Sequence, residues 1–86
     1  MFYVYILQSK IKGRFYIGHT KDLNKRIKQH NSGKTKSTKP YKPWTLVYFE
    51  NYSTKSEAFK REKEIKNYKS GYKFKKLKKS ERWQSG

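Results

Sequence analysis

Two short runs of aromatic and β-branched residues near the start of the chain constrain its fold more than any other feature. Residues 2–8 (FYVYILQ) and 14–19 (RFYIGH) have the composition of β-strands, and the polar segment between them, SKIKG, ends in glycine. A connection this short joins antiparallel neighbours, so the sequence predicts a β-hairpin. If the turn is centred on residues 10–11, Tyr5 lies opposite Tyr16 and both phenols project from the same face.

The residues that follow the hairpin change to a helical pattern. Thr20 or Asp22 can cap a helix in which Leu23 and Ile27 recur four residues apart. The segment Asn31-Ser32-Gly33 tolerates the left-handed conformation, and it is expected to end this helix.

A basic loop, a third strand and a second helix complete the predicted order. Residues 33–43 carry two prolines and are expected to be non-helical, whereas residues 44–50 (WTLVYFE) have strand composition. Thr54 and Glu57 have the spacing of a capping box, and Gly71 is expected to end the helix that they begin. A short basic helix over 72–79 and a docked Trp83 are further expectations. The predicted fold is therefore α+β, a small three-stranded antiparallel sheet flanked by helices in the order β-β-α-β-α(-α).

Length and composition limit the class of protein. With 86 residues the chain has room for one domain, expected over residues 1–80 with a short tail at 81–86. It has no cysteine, which excludes disulfides, thiolate metal sites and a thiol nucleophile. No segment approaches the roughly 20 apolar residues that span a bilayer. These features predict a soluble cytoplasmic protein without a small-molecule cofactor.

The charge of the chain indicates a polyanionic partner. Lysine and arginine number 23 against 6 acidic residues, for a formal net charge of +17. Nucleic acid is the favoured partner, because neutralised phosphates release counterions. A lysine-rich compositional bias and a basic protein docked on the ribosome are the alternatives. Tyr41 and Trp44 flank the basic loop and either stack on an unpaired base or pack in the core, with the core favoured for Trp44. The lysines expected to contact nucleic acid are Lys34, Lys36, Lys39, Lys42, Lys66, Lys69 and Lys73.

Five polar or aromatic positions are candidates for chemistry: the two hairpin tyrosines, Arg26, His30 and Glu62. Arg26 and His30 are four residues apart and share one face of the first helix. On the second helix Glu62 lies beside the apolar stripe, whereas Glu64 faces solvent. A carboxylate at the edge of a core, in so cationic a protein, is either salt-bridged or bound to a hard cation. From strand pairing alone, the two tyrosines are better explained as a packed aromatic pair.

Taken together, these residues resemble the paired signature of the GIY-YIG nuclease superfamily. The segment YVY at 3–5 precedes YIG at 16–18 by ten residues, and Arg26, His30 and Glu62 follow on the two helices. The chain is most similar to the small stand-alone bacterial members. This resemblance implies a metal-dependent phosphodiesterase with catalytic residues Tyr5, Tyr16, Arg26, His30 and Glu62, in which Glu62 binds Mg²⁺ or Mn²⁺.

The chemistry of phosphodiester cleavage predicts a role for each residue. Arg26 binds the non-bridging phosphate oxygens, His30 accepts or relays a proton, and a phenol, with Tyr5 favoured, orients or deprotonates the attacking water. The implied substrate is duplex, nicked or branched DNA, cut in repair or recombination. A domain with one site needs two visits or a dimer to cut both strands, and the protein is expected to be a monomer or weak homodimer. No base-reading module is recognisable, so specificity is expected to be weak or structure-directed.

The sequence departs from the family signature at two positions. The glycine of GIY is replaced by Tyr3, and Phe74 stands where some members have an asparagine. The alternative interpretation is accordingly a nucleic-acid-binding module with the same fold and weak or no catalysis.

Overall fold

The computed structural model describes residues 1–68. Its elements are the strands β1 (Phe2–Ser9), β2 (Phe15–Thr20) and β3 (Trp44–Tyr52), the helices α1 (Leu23–Ser32) and α2 (Lys55–Lys66), and one turn of 3-10 helix at Lys39–Tyr41. The strands form an antiparallel sheet in the order β2-β1-β3, which confirms the α+β prediction and its element order. The expected break at Gly71, the helix over 72–79, the docked Trp83 and the tail at 81–86 all lie outside the described residues.

The central strand β1 is buried on both faces, with a helix against each. Its even-numbered side chains pack towards α2, in a cluster of Val4, Ile6, Tyr48, Ala58 and Ile65. Its odd-numbered side chains pack with Trp44 and the apolar stripe of α1, in a cluster that includes Tyr5, Leu7, Leu23 and Ile27. Because β1 is the middle strand, β2 and β3 are the edges of the sheet within residues 1–68. Within residues 1–68 no helix is long and apolar enough to cross a membrane.

The helix ends are formed by the residues that the sequence predicts. The Asp22 side chain accepts a hydrogen bond from the Lys25 backbone N–H at 3.0 Å, and α1 ends at Gly33, which has a left-handed φ of 84°. Thr54 and Glu57 form the predicted capping box at the start of α2. The basic loop is not wholly non-helical, because Pro40 lies in the first turn of the 3-10 helix, where a missing N–H costs no hydrogen bond.

The register of the β1–β2 hairpin differs from the predicted one. Tyr5 lies opposite Gly18, and Tyr16 lies opposite Leu7. The predicted pairing of Tyr5 with Tyr16 is wrong because the turn extends further along the chain than assumed: Gly13, at φ 68°, donates its N–H to the Ser9 carbonyl at 3.0 Å. The error is two residues, and a two-residue shift keeps every side chain on its face. Both tyrosines therefore still project from the α1 side of the sheet.

Candidate functional site at the edge strand β2

Gly18 makes room for the Tyr5 ring. A Cβ at position 18 would lie 2.8 Å from the Tyr5 hydroxyl oxygen and 3.0 Å from its Cζ. The same atom would lie 3.1 Å from the Tyr16 ring, and the two tyrosine ring centroids are 6.2 Å apart. The glycine of the YIG motif thus brings the two phenols side by side across the edge strand.

A directed chain of hydrogen bonds runs inward from Tyr5. The Thr38 hydroxyl donates to the Thr35 carbonyl at 3.3 Å, so it accepts from His30 Nδ1–H at 2.9 Å. A proton on Nδ1 leaves Nε2 of the neutral ring as an acceptor, and the Tyr5 hydroxyl donates to it at 3.2 Å. With these hydrogen-bond directions assigned, His30 carries its proton on Nδ1 and its unprotonated Nε2 faces the phenol.

Burial gives this pair unusual acid–base properties. Tyr5 and His30 are each 1% exposed. Burial, followed by the neighbouring Tyr16, raises the pKa of the Tyr5 phenol. Burial, followed by the charge of Arg26, lowers the pKa of His30. At neutral pH both side chains are therefore uncharged, and neither a stored phenolate nor an imidazolium is favoured.

Aromatic packing holds His30 from the other side. The Tyr16 ring lies 4.7 Å from the His30 ring, centroid to centroid. Trp44 is 4% exposed, which confirms its predicted place in the core, and its indole N–H donates to the Thr38 carbonyl at 3.0 Å. Tyr41 packs edge-on against Trp44, and the Arg14 guanidinium lies 4.9 Å from its ring centroid. Trp44 and Tyr41 thus support the site as packed aromatics.

Arg26 contributes a positive charge that is not neutralised locally. It is half-buried on α1, and among residues 1–68 its side chain makes no ion pair or hydrogen bond. Its charge lowers the pKa of His30 and opposes the rise at Tyr5, which locates it near both. Arg26 lines an open cleft of about 410 Å³, together with His19 and Gln29. A guanidinium in this state can bind an anion.

Glu62 lies on the α2 side of β2, with both carboxylate oxygens engaged. Only 8% of the residue is exposed, whereas the Glu64 side chain is 59% exposed, as predicted for the two positions. Oε1 pairs with His19 Nδ1, and Oε2 accepts from Lys66 Nζ at 2.7 Å. Burial alone raises the pKa of Glu62, but the hydrogen bonds from His19 and Lys66 outweigh it and lower the pKa. The sequence analysis left two partners open for Glu62, a basic side chain or a hard cation. In the metal-free protein Glu62 is salt-bridged.

His19 is a site residue that the sequence reasoning missed. It follows Gly18 on β2 and pairs with Val4, so its side chain points to the α2 face. The edge strand thus serves both sides of the site, because Gly18 admits Tyr5 on one face and His19 holds Glu62 on the other. The Glu62 charge contributes to raising the pKa of Tyr5, so the two sides are electrostatically coupled. A histidine adjacent to the YIG motif was the available signal.

Glu62 suits a metal ion that takes a single carboxylate from the protein and its other ligands from substrate and water. No cluster of three or more His, Cys, Asp or Glu side chains forms a metal site within the part of the chain that the structure describes. A single carboxylate is nevertheless a sufficient protein ligand for Mg²⁺ when substrate phosphates and waters supply the other oxygens. Glu62 fits that arrangement, provided that Lys66 releases Oε2.

The lysines predicted to contact nucleic acid fall into three groups. The four in the basic loop are exposed: Lys34, Lys36, Lys39 and Lys42. Lys66 is exposed but paired with Glu62. Lys69 and Lys73 lie outside the described residues.

Tyr3, which replaces the motif glycine, packs edge-on against Phe49 of β3 at 6.2 Å between centroids.

Comparison with known proteins shows which family the chain resembles. A UPF0213 protein of Staphylococcus epidermidis is 52% identical over 67 residues, which cover 77% of this chain and 80% of the relative. A UPF0213 protein of Staphylococcus aureus is 51% identical over the same shares of the two chains. The solution NMR structure of a UPF0213 protein of Bacillus halodurans is 42% identical, with a TM-score of 0.55, and the match covers 90% of this chain and 82% of that one. The family model of the GIY-YIG catalytic domain matches residues 1–80, and the chain therefore belongs to the GIY-YIG family.

Proposed function

We propose that this protein is a metal-dependent endonuclease that hydrolyses DNA phosphodiester bonds with weak or structure-directed specificity, in repair or recombination. Membership of a nuclease-domain family supports an endonuclease-like role. The observation that carries the proposal is the hydrogen bond between Tyr5 and His30. The charges of both Arg26 and Glu62 act on the pKa of the Tyr5 phenol. A buried acid–base pair that is electrostatically coupled to a cation and a carboxylate has elements that phosphodiester hydrolysis requires.

Arg26 binds the scissile phosphate in this proposal. Its guanidinium has no carboxylate partner among the described residues, and it lines the open cleft beside His19. A planar guanidinium donates two parallel hydrogen bonds to non-bridging oxygens. Because charge on those oxygens grows in the transition state, the interaction strengthens as the reaction proceeds.

Tyr5 and His30 act as a proton relay. The attacking water gives a proton to the Tyr5 oxygen as the phenol passes its own proton to Nε2 of His30. The water oxygen forms the new bond to phosphorus as the P–O3′ bond breaks, and the 3′ oxygen leaves and takes a proton from solvent. No free phenolate accumulates, so the raised pKa of Tyr5 is not an obstacle. This refines the sequence-based assignment of Tyr5 as a simple base. Tyr16, packed on His30, orients the water beside Tyr5.

Glu62 is the protein ligand of the divalent cation, Mg²⁺ or Mn²⁺. When bound there, the ion supplies charge neutralisation for the phosphate and for the leaving 3′ oxygen. His19 holds Oε1 and so fixes the direction of the carboxylate. Among the described residues Glu62 is the buried carboxylate coupled to Tyr5, which is why the role falls to it.

DNA is held mainly by charge. The exposed lysines of the basic loop, together with the net charge of +17, attract the phosphate backbone without reading bases. We expect the protein to be cytoplasmic and to be a monomer or a weak homodimer. With one active site per chain, cutting both strands requires two visits by a monomer or the two copies of a dimer.

A nuclease assay tests the proposal. Parent, Glu62→Gln and Arg26→Ala proteins are incubated with duplex, nicked, branched and single-stranded oligonucleotides, with Mg²⁺, with Mn²⁺ or with a chelator. We expect cleavage by the parent only with a divalent ion, and a loss of about 10²-fold or more in either variant. Cleavage by the variants at the parental rate would refute the site.

A second candidate, a binding module without efficient catalysis, is favoured by one observation. Lys66 covers Oε2 of Glu62 in the free protein. This candidate predicts salt-sensitive DNA binding with no cleavage under any metal condition, so the same assay separates the two.

A further inference from the structure

The two partners of the Glu62 carboxylate differ in how firmly they are held. His19 lies on β2, its side chain is 21% exposed, and its ring packs edge-on against Phe59 at 5.7 Å between centroids. Lys66 is in the last turn of α2, and its side chain is 53% exposed. His19, the partner of Oε1, is thus held in the sheet, whereas Lys66, the partner of Oε2, has a long side chain that is exposed to solvent.

The Lys66 contact is of the kind that a stronger cation displaces. Glu62 and Lys66 are one helical turn apart, and the exposed Lys66 ammonium keeps its contact with water, which weakens the pair from the lysine side. A divalent ion carries twice the charge in a smaller volume, and its attraction to the same oxygen is larger. Exchange requires only rotation of the lysine side chain, because the Glu62 carboxylate remains held by His19 through Oε1.

We propose that Lys66 is an intramolecular competitor of the divalent cation: it occupies Oε2 of Glu62 in the metal-free protein and yields that oxygen when the ion binds. The proposal rests on the assignment of Glu62 as the metal ligand. The released ammonium is then available to a substrate phosphate, so the same lysine has one partner in each state. Without the competitor, the carboxylate is open to the ion at all times.

A matched control exists on the same helix. Lys63 carries the same charge three residues earlier, but its Nζ lies 5.3 Å from the Phe59 ring centroid and makes no ion pair with Glu62. Methionine at either position keeps an unbranched apolar side chain in the helix. Lys66→Met and Lys63→Met therefore remove the same charge and differ in contact with Glu62.

The experiment measures Mn²⁺ binding without DNA, by electron paramagnetic resonance titration of the free ion at low ionic strength. We expect Lys66→Met to bind Mn²⁺ about five- to tenfold more tightly than the parent, and Lys63→Met to stay within about twofold. If both variants change the Mn²⁺ affinity equally, Lys66 acts only through its contribution to the total charge. If Lys66→Met binds Mn²⁺ more weakly than the parent, Lys66 helps metal binding and does not compete with it. Either result overturns the proposal.

A third variant separates this inference from the proposed function. Glu62→Gln is expected to lose the Mn²⁺ site, and circular dichroism checks that each variant is folded. If Glu62→Gln binds Mn²⁺ like the parent, the metal site itself is misplaced and both proposals fail. If Glu62→Gln loses binding while Lys66→Met matches Lys63→Met, only the competitor role fails.

Discussion

The Tyr5 hydroxyl lies 2.8 Å from the position that a Cβ at Gly18 would occupy, so the motif glycine and the motif tyrosine fit each other across two paired strands. The neighbouring atoms belong to a buried ring whose hydroxyl is bonded to His30, and they have little freedom to move. Gly18→Ala is therefore expected to reduce the free energy of unfolding by about 1–3 kcal/mol and to lower activity sharply. Chemical denaturation and single-turnover cleavage measure the two effects.

Gly13→Ala is the control for that substitution. Gly13 has a φ of 68°, and an added Cβ would meet nothing within 4 Å. The variant is expected to lose about 1 kcal/mol of stability from backbone strain and to keep its activity. If Gly18→Ala is as active as Gly13→Ala, the fit of Tyr5 over Gly18 has no part in catalysis.

The buried His30 makes stability depend on pH. Its folded-state pKa is below the ordinary value of about 6.5, so the folded protein binds fewer protons than the unfolded chain between the two values. The contribution is complete above pH 6.5 and is lost as the pH falls through the folded-state pKa. We expect urea unfolding to show a larger loss between pH 7.5 and pH 5 for the parent than for His30→Gln. Parallel pH profiles would contradict a buried neutral histidine.

The positions of these groups were predictable from sequence to different degrees. Strand composition and capping residues predicted the elements, because Asp22, Thr54 and Glu57 act on backbone within three residues of themselves. The hairpin register was not predictable, because SKIKG fits more than one turn and only the bonding of Gly13 to Ser9 decides between them.

Contacts between distant segments were the hardest part to foresee. His19 and Glu62 are 43 residues apart, and only the packing of α2 beside β2 brings them together. Lys66, in contrast, stands four residues after Glu62, a spacing from which the ion pair could have been inferred. The excess of lysine over acidic residues favoured a phosphate-binding role for Lys66 instead.

His19 is expected to act as a positioning residue. His19→Ala removes the hydrogen-bond partner of Glu62 Oε1. Because residues that orient a metal ligand affect metal binding, we expect a loss of about 10- to 100-fold in Mn²⁺ affinity and in activity. His19→Gln retains a donor and should recover part of both. Electron paramagnetic resonance titration and cleavage rates measure the effect. If alanine and glutamine behave alike, the hydrogen bond to Glu62 is not what His19 supplies.

The basic loop is expected to set the salt dependence of DNA binding. Lys39→Gln with Lys42→Gln removes two exposed charges near the end of α1, and the slope of log affinity against log salt should become shallower by about 1.8. Fluorescence anisotropy with a labelled duplex at several salt concentrations measures the slope.

The control removes two charges elsewhere. Lys28→Gln with Lys60→Gln alters exposed lysines of α1 and α2. A slope change as large as that of the loop variant would show that DNA binding follows total charge and not the loop.

The central claim is that groups on the two faces of β2 act as one site, and single-turnover DNA cleavage by Arg26→Gln, Glu62→Gln and the double variant tests it most directly. The effects of residues that act as a unit are strongly non-additive, so we expect the double variant to be no more than about tenfold slower than the slower single variant. If the two losses multiply in full, Arg26 and Glu62 act independently and the account is contradicted.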